Sequence, residues 1–101
     1  MAKTIRWTNA AAEDLRAISD FISRDSIRYA DQVIERIIEA IERAAEFPGM
    51  GRRVPEYPRR DLREVIVYQY RAVYQVRGAQ IIVIGIIHGA RLLRKAMRGR
   101  A

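Results

Sequence analysis

The sequence predicts an α+β domain with the element order β-α-α-β-β-β, in which a helical hairpin packs on one face of a small, mainly antiparallel sheet. Apolar residues recur at helical spacing in the first half of the chain, and β-branched and aromatic runs fill the second half. A segment rich in Pro, Gly and Arg, residues 48–61, separates the two halves. A chain of 101 residues can form one core, so we expect residues 1–101 to be a single domain.

The first strand and the first helix follow from local patterns. The run TIRW at residues 4–7 is β-branched and apolar, which favours a strand. Thr8 or Asn9 can then cap a helix over about residues 9–24. This helix carries apolar side chains at helical spacing, namely Ala11, Leu15, Ile18 and Ile22.

The second helix has the clearest amphipathic pattern in the chain. Asp25 or Ser26 is available as its N-cap, and Pro48-Gly49 ends it. Its apolar stripe comprises Ala30, Val33, Ile34, Ile37, Ile38, Ile41 and Ala45. The loop that follows, residues 48–61, is long for so small a domain, and such loops often carry function.

Three further strands are predicted at residues 63–68, 70–76 and 80–87. Gly78 suits the tight turn between the last two, and Gly85 indicates a bulge or a close backbone approach. Alternation divides the middle strand into two faces, one with Arg71, Val73, Gln75 and Arg77, the other with Tyr70, Ala72, Tyr74 and Val76. We expect the helices to cover one face and the face that carries Arg71 and Arg77 to be less covered.

The basic C-terminal tail, about residues 90–101, has two readings. Within RLLRKAMRGR (91–100), apolar residues lie at helical spacing between cations, which predicts a short amphipathic helix. An unfolded, frayed tail is the alternative.

Charge and composition restrict the function classes. Residues 1–50 have a net charge of −2 and residues 51–101 one of +9, and seventeen of the 19 basic residues are Arg. The second half is therefore a candidate surface for nucleic acid or an acidic protein. With no Cys, disulfides and thiolate metal sites are excluded, and with one His we expect no conventional zinc site, no other metal and no cofactor. No run has the length of a signal peptide or a membrane span, so we expect a cytoplasmic protein without membrane contact.

Several motifs occur in an order that resembles one family. The first motif begins at Trp7 and continues along the first helix with Ala11, Asp14, Leu15, Ile18, Phe21 and Ile22. The others are PGMGR (48–52), LRE (62–64), YRAVYQV (70–76) and IIVIGIIHGAR (81–91). Taken together they resemble the RelE/ParE superfamily, the small basic toxins of type II toxin–antitoxin pairs. The resemblance implies a toxin that a cognate antitoxin neutralises. It favours a ParE-like toxin that inhibits DNA gyrase, and the alternative is a RelE-like endonuclease that cuts mRNA on the ribosome.

Under the nuclease alternative, the resemblance implies a metal-independent catalytic set. Arg71 matches a phosphate-binding Arg, His88 lies near a catalytic His, and Glu56 lies near a catalytic Glu. The chain departs from this pattern, since His88 is followed by Gly-Ala-Arg and thirteen residues in all. It also lacks the Lys-rich segment and the late Tyr that the resemblance implies for a second ribonuclease branch, since no Tyr follows Tyr74. We therefore prefer a non-catalytic role for His88 at the end of its strand.

Other side chains also have two interpretations. Arg71 could pair with Glu64 across the hairpin, and Trp7, Tyr70 and Tyr74 could either stack on bases or belong to the core. The arginines predicted to bind the target or a nucleic acid are Arg52, Arg53, Arg59, Arg60, Arg77, Arg91 and Arg94.

Overall fold

The computed structural model describes residues 2–100 and confirms the predicted α+β class. Its elements in chain order are β1 (Thr4–Trp7), α1 (Asn9–Ser23), α2 (Ile27–Glu46), β2 (Arg52–Arg53), β3 (Leu62–Val67), β4 (Tyr70–Arg77), β5 (Gln80–His88) and α3 (Leu93–Ala96). The short C-terminal helix α3 is present, so the helical interpretation of the tail is the correct one.

The five strands form one sheet in the order β1-β5-β4-β3-β2. The first strand is parallel to β5, with Thr4 opposite Gln80, and the other neighbours are antiparallel. Strand β2 lies inside residues 48–61, which the sequence predicts to be a loop, and there Arg52 pairs with Glu64 and Arg53 with Arg63. Two arginines between glycine and proline segments carry no strand periodicity, so this short pairing was not predicted.

Each long helix begins at a hydroxyl cap. Thr8 Oγ1 accepts a hydrogen bond from Ala11 N at 3.1 Å, and Ser26 Oγ accepts one from Tyr29 N at 3.1 Å. Both caps satisfy backbone donors that a helix leaves free at its first turn. The structure thus selects Thr8 over Asn9 and Ser26 over Asp25.

The helical hairpin covers one face of the sheet and forms the larger core. Tyr70 and Tyr74 are buried in it, and Trp7 packs against it, so their core interpretation is correct. The remaining buried members are Ala11, Val33, Ile37, Ile41, Ala44, Ala45, Ala72, Ile81, Val83 and Ile86.

The opposite face of the sheet carries a second, smaller core. The apolar side of α3 and the residue after it, Met97, pack on this face, and Val54 of the loop packs beside them. The other buried members are Leu62, Val73, Ile84, Ile87, Leu93 and Ala96. This face is less covered than the other, as expected, since α3 has four residues whereas α1 and α2 have 15 and 20. The packing of the tail on it was not predicted, because it is a contact between distant segments.

A β-bulge in β5 decides which way its last side chains point. Val73 pairs with Gly85 but Tyr74 pairs with Val83, so Ile84 is an extra residue. The predicted bulge is therefore present, and side chains rather than another backbone crowd Gly85, where a Cβ would lie 2.7 Å from Arg100 Nη1. Beyond the bulge, Ile86 faces the helices and Ile87 faces the second core, which places His88 on the helix side.

Candidate functional site

Arg71 lies at the centre of a chain of four alternating charges. Its Nε atom donates to Glu64 Oε1 at 2.6 Å, and its Nη1 and Nη2 atoms donate to the two oxygens of Glu56 at 2.7 Å each. The Glu64 side chain is fully buried, and its Oε2 atom accepts a hydrogen bond from Arg52 Nε at 2.6 Å. The pairing of Arg71 with Glu64 across the hairpin is therefore present, and Glu56 binds the outer edge of the same guanidinium.

Glu56 and Arg71 shift each other's pKa in opposite directions. The hydrogen bonds from Arg71 lower the pKa of Glu56 from 4.5 to about 2. The hydrogen bonds from Arg71 to Glu56 raise the pKa of Arg71 above its usual value, and the hydrogen bond to Glu64 adds a smaller increase. Both groups are thus held in their charged forms at neutral pH.

Tyr74 holds the turn that brings Arg52 to this network. Its hydroxyl donates to Pro48 O at 2.8 Å and accepts from Gly51 N at 3.1 Å, and burial raises its pKa. Gly51 lies so close that a Cβ there would be 2.6 Å from the hydroxyl oxygen and 2.8 Å from Glu64 O. Glycine at this position lets the chain enter β2 with Arg52 beside Glu64.

The outer side of Arg71 faces a basic cavity of about 520 Å³. Glu56 and Arg71 line one side of it. The other side comes from the C-terminal segment, with four cations, Arg91, Arg94, Lys95 and Arg98. We call these residues and the space they enclose the basic cavity.

Tyr57 connects the loop to the C-terminal segment. Its ring has the guanidinium carbon of Arg60 5.5 Å from the centroid and that of Arg94 5.2 Å from the centroid. Such cation–π contacts restrict flexible Arg side chains, and each contributes a modest stabilising free energy. The loop residues 54–60 and α3 therefore form one surface.

His88 lies on the other side of the sheet. It pairs with Tyr70, whose ring it meets edge to face at a centroid distance of 5.5 Å. Its Nδ1 atom accepts a hydrogen bond from Ala90 N at 3.0 Å, so the neutral imidazole carries its proton on Nε2. It lines a separate cavity of about 410 Å³ with Asp14, Phe21 and Arg91.

The structure brings together only two of the three candidate catalytic residues. Glu56 and Arg71 are in direct contact. His88 lies on the same face of the sheet as Tyr70, its partner on β4. Because neighbouring side chains of a strand point to opposite faces, this is the face opposite Arg71. Arg91 lines both cavities and is the link between them. In this arrangement the three side chains do not surround one point where a phosphodiester could bind.

Four of the seven arginines predicted to bind a partner lie around Arg71. Arg52 binds Glu64, the partner of Arg71. Arg60 contacts the ring of Tyr57, and the basic cavity is lined by Arg91 and Arg94. Arg77 lies at the far end of β4, six residues along the strand from Arg71 and therefore roughly 20 Å away. Arg53 and Arg59 are exposed.

Sequence reasoning missed the roles of three basic residues in the C-terminal segment. Lys95 and Arg98 line the basic cavity but were not proposed as binding residues, although their charge was visible. Arg100 binds Asp14, which belongs to the family motif and lies in the first half of α1. The partner of Arg100 is 86 positions away in sequence, and no local pattern indicates it.

Residues 2–100 contain no group of three or more His, Cys, Asp or Glu side chains that could hold a metal ion. Within the same range no helix has the length and apolar character needed to span a membrane.

Comparisons with known proteins agree with the resemblance seen in the motifs. The family model described as the ParE toxin of the type II toxin–antitoxin system parDE matches residues 5–93. Toxin RelE2 of Caulobacter vibrioides is 36% identical over 93 residues, which are 91% of this chain and 100% of that protein.

Two solved structures share the fold. A chain of the chromosomal ParDE system of P. aeruginosa has a TM-score of 0.72 and 24% identity, with 86% of this chain and 96% of that chain covered. A double arginine-to-alanine mutant of E. coli toxin RelE in the free state has a TM-score of 0.69 and 18% identity, with 99% and 95% covered.

Proposed function

Because the chain belongs to the ParE toxin family of type II toxin–antitoxin systems, we propose that it stops growth by binding DNA gyrase in the cytoplasm and that a cognate antitoxin neutralises it. The observation that carries the choice of gyrase is the position of His88, across the sheet from Glu56 and Arg71. A toxin that acts by binding needs no convergent catalytic groups.

RNA cleavage without a metal ion requires a base, an acid and a cation at one phosphodiester. Glu56 is a weak candidate for the base, since Arg71 lowers its pKa to about 2 and engages both of its oxygens. A general base works best when its pKa lies near the working pH. The ionisation of Glu56 therefore supports binding over catalysis.

A second candidate function is cleavage of mRNA on the ribosome. It is favoured by the contact of Glu56 with Arg71 at the edge of the basic cavity and by the name of the relative Toxin RelE2. Cleavage would require Glu56 to leave Arg71. It would also require the RNA to pass Arg91, which lines both cavities, so that one nucleotide contacts Arg71 on one face of the sheet and His88 on the other. Arg71 would then be free to bind the scissile phosphate.

The antitoxin partner is supported by the family and by the surface charge. The family model describes the toxin of a two-component system, and one structural neighbour comes from a ParDE system. The excess of cations in residues 51–101 favours an acidic partner. Co-expression with the small reading frame beside this gene, followed by purification through a tag on one chain, tests whether the two proteins form a complex.

The target is tested with the purified chain in two assays. Supercoiling of relaxed plasmid by DNA gyrase is followed with increasing toxin, and cleavage of a translated mRNA is followed by primer extension in a cell-free translation system. Inhibited supercoiling with intact mRNA is the expected result. Codon-positioned cuts with normal supercoiling would replace the gyrase proposal by the nuclease.

A further inference from the structure

We propose that Glu56 is the internal occupant of an anion-binding site on Arg71, and that an acidic side chain of a protein partner takes its place there. This site would be one contact between the toxin and its partner. It depends on the proposed function in one respect, namely that the partner is a protein. In the free chain the carboxylate of Glu56 stands where the partner's carboxylate would bind.

The binding atoms of Arg71 are held in place without help from Glu56. Its Nε atom is fixed by Glu64, whose side chain is fully buried and is itself held by Arg52. A guanidinium anchored through Nε keeps Nη1 and Nη2 in one plane, pointing outward. When Glu56 leaves, the two donors remain oriented for another bidentate anion.

Glu56 can leave more easily than the other members of the network. Its side chain is 30% exposed, whereas that of Arg71 is 11% exposed and that of Glu64 is 0% exposed. Within residues 2–100, its side-chain hydrogen bonds are the two to Arg71. A rotation of this one side chain therefore opens the site, while the neighbouring core residue Val54 stays buried.

The surroundings favour an anion from outside the chain. Arg91, Arg94, Lys95 and Arg98 line the same cavity, and within residues 2–100 none of the four forms a salt bridge. Four nearby like charges repel one another, so an acidic ligand lowers the free energy of this surface. Glu56 neutralises only Arg71 and leaves the four cations uncompensated.

The apolar part of the cavity favours a peptide over a phosphodiester chain. Leu92 lines the cavity with 76% of its surface exposed, next to the cations. A segment with acidic and apolar side chains can pair with the arginines and cover Leu92 together. The position of Glu56 also shows that the site fits a carboxylate on a side chain of that length.

The experiment compares two variants with the same change in charge. Glu56→Gln removes the internal occupant, and Glu39→Gln removes a carboxylate from the exposed face of α2. Binding of a fluorescent peptide containing glutamates and leucines to the purified full chain is measured by anisotropy at fixed salt. Because an occupied site weakens the apparent affinity by its free fraction, we expect Glu56→Gln to bind about tenfold more tightly than the wild type, and Glu39→Gln to change the affinity less than about twofold.

Two further measurements decide between explanations. Glu56→Asp keeps the charge on a shorter side chain and should give an intermediate affinity, which a purely electrostatic effect would not produce. A single-stranded oligonucleotide of equal charge is tested in parallel. Equal affinities for Glu56→Gln and Glu39→Gln would overturn the proposal, as would a gain that is confined to the oligonucleotide. Since neither assay contains gyrase, failure here leaves the supercoiling experiment unaffected, and normal supercoiling leaves the peptide result unaffected.

Discussion

Arg100 and Asp14 join the C-terminal segment to α1 through two hydrogen bonds, of 2.5 Å from Nη1 to Oδ2 and 3.1 Å from Nη2 to Oδ1. Asp14 Oδ2 also accepts a hydrogen bond from Ile86 N at 3.0 Å, and Arg100 Nη1 donates to Ile84 O at 3.2 Å. Strand β1 pairs with β5 only as far as Val83. The two side chains therefore satisfy backbone groups of β5 just beyond the end of β1.

Removal of Asp14 should cost more stability than removal of Arg100. Arg100→Ala loses the ion pair of a partly buried side chain and one of the two side-chain donors to Ile84 O, which we expect to lower the free energy of unfolding by about 1 kcal/mol. Asp14→Ala also leaves the Ile86 N–H without its acceptor, so we expect about 2–3 kcal/mol. Urea denaturation measures both, with the exposed Asp20→Ala in the same helix as control. A loss for Asp14→Ala no larger than that for Asp20→Ala would show that this contact does not stabilise the fold.

Gly51 and Gly49 provide a matched pair for the turn before β2. A Cβ at Gly51 would lie 2.6 Å from Tyr74 Oη and 2.8 Å from the Glu64 carbonyl oxygen, whereas a Cβ at Gly49 would meet nothing within 4 Å. Gly51→Ala should therefore destabilise the protein by about 1–3 kcal/mol, the usual cost of overpacking, and Gly49→Ala should change stability little. Thermal denaturation of the two variants tests the difference. Similar melting temperatures would mean that the turn can move away from Tyr74.

The ion pair of Glu56 and Arg71 predicts a stability that depends on pH in the acid range. The pKa of Glu56 is about 2 in the folded protein, below its ordinary value of 4.5. A carboxyl group with a lowered pKa stabilises the folded state fully above its unfolded pKa, and this contribution is lost as the pH falls toward the folded pKa. We expect wild type to be more stable than Glu56→Gln at pH 7, with a difference that shrinks between pH 4.5 and pH 2. Urea midpoints of both proteins across this range measure it, and a constant difference would contradict the assignment.

Much of the fold could be predicted because its signals are local. The apolar stripe of α2, the caps Thr8 and Ser26 and the turn at Gly78 each depend on a few neighbouring residues. Alternation along β4 also placed Arg71 on the opposite face from Tyr70 and beside Glu64. These patterns follow directly from helix and strand geometry.

The remaining features depend on contacts between distant segments. The parallel pairing of β1 with β5, the packing of α3 on the second face and the pair formed by Arg100 and Asp14 join positions far apart in sequence. The face of the sheet on which His88 lies could not be predicted for another reason. The bulge at Gly85 adds one residue to β5, and one extra residue reverses the face of every side chain beyond it. A sequence that indicates a bulge does not by itself give the face of the residues after it.

Replacement of His88 separates the two modes of action, because they predict effects of very different size. General acid catalysis contributes about 10²–10⁴-fold to a rate, so a nuclease should lose nearly all toxicity in His88→Ala. Under the gyrase proposal we expect toxicity within about twofold of the wild type, since His88 lies on the face opposite Arg71 and the basic cavity. His88→Gln accompanies it to keep more of the packing against Tyr70. Survival after induction without antitoxin is measured at matched protein levels, together with the toxin concentration that halves gyrase supercoiling. Restored survival with both variants, together with unchanged inhibition of supercoiling, would separate toxicity from gyrase inhibition and favour the endonuclease.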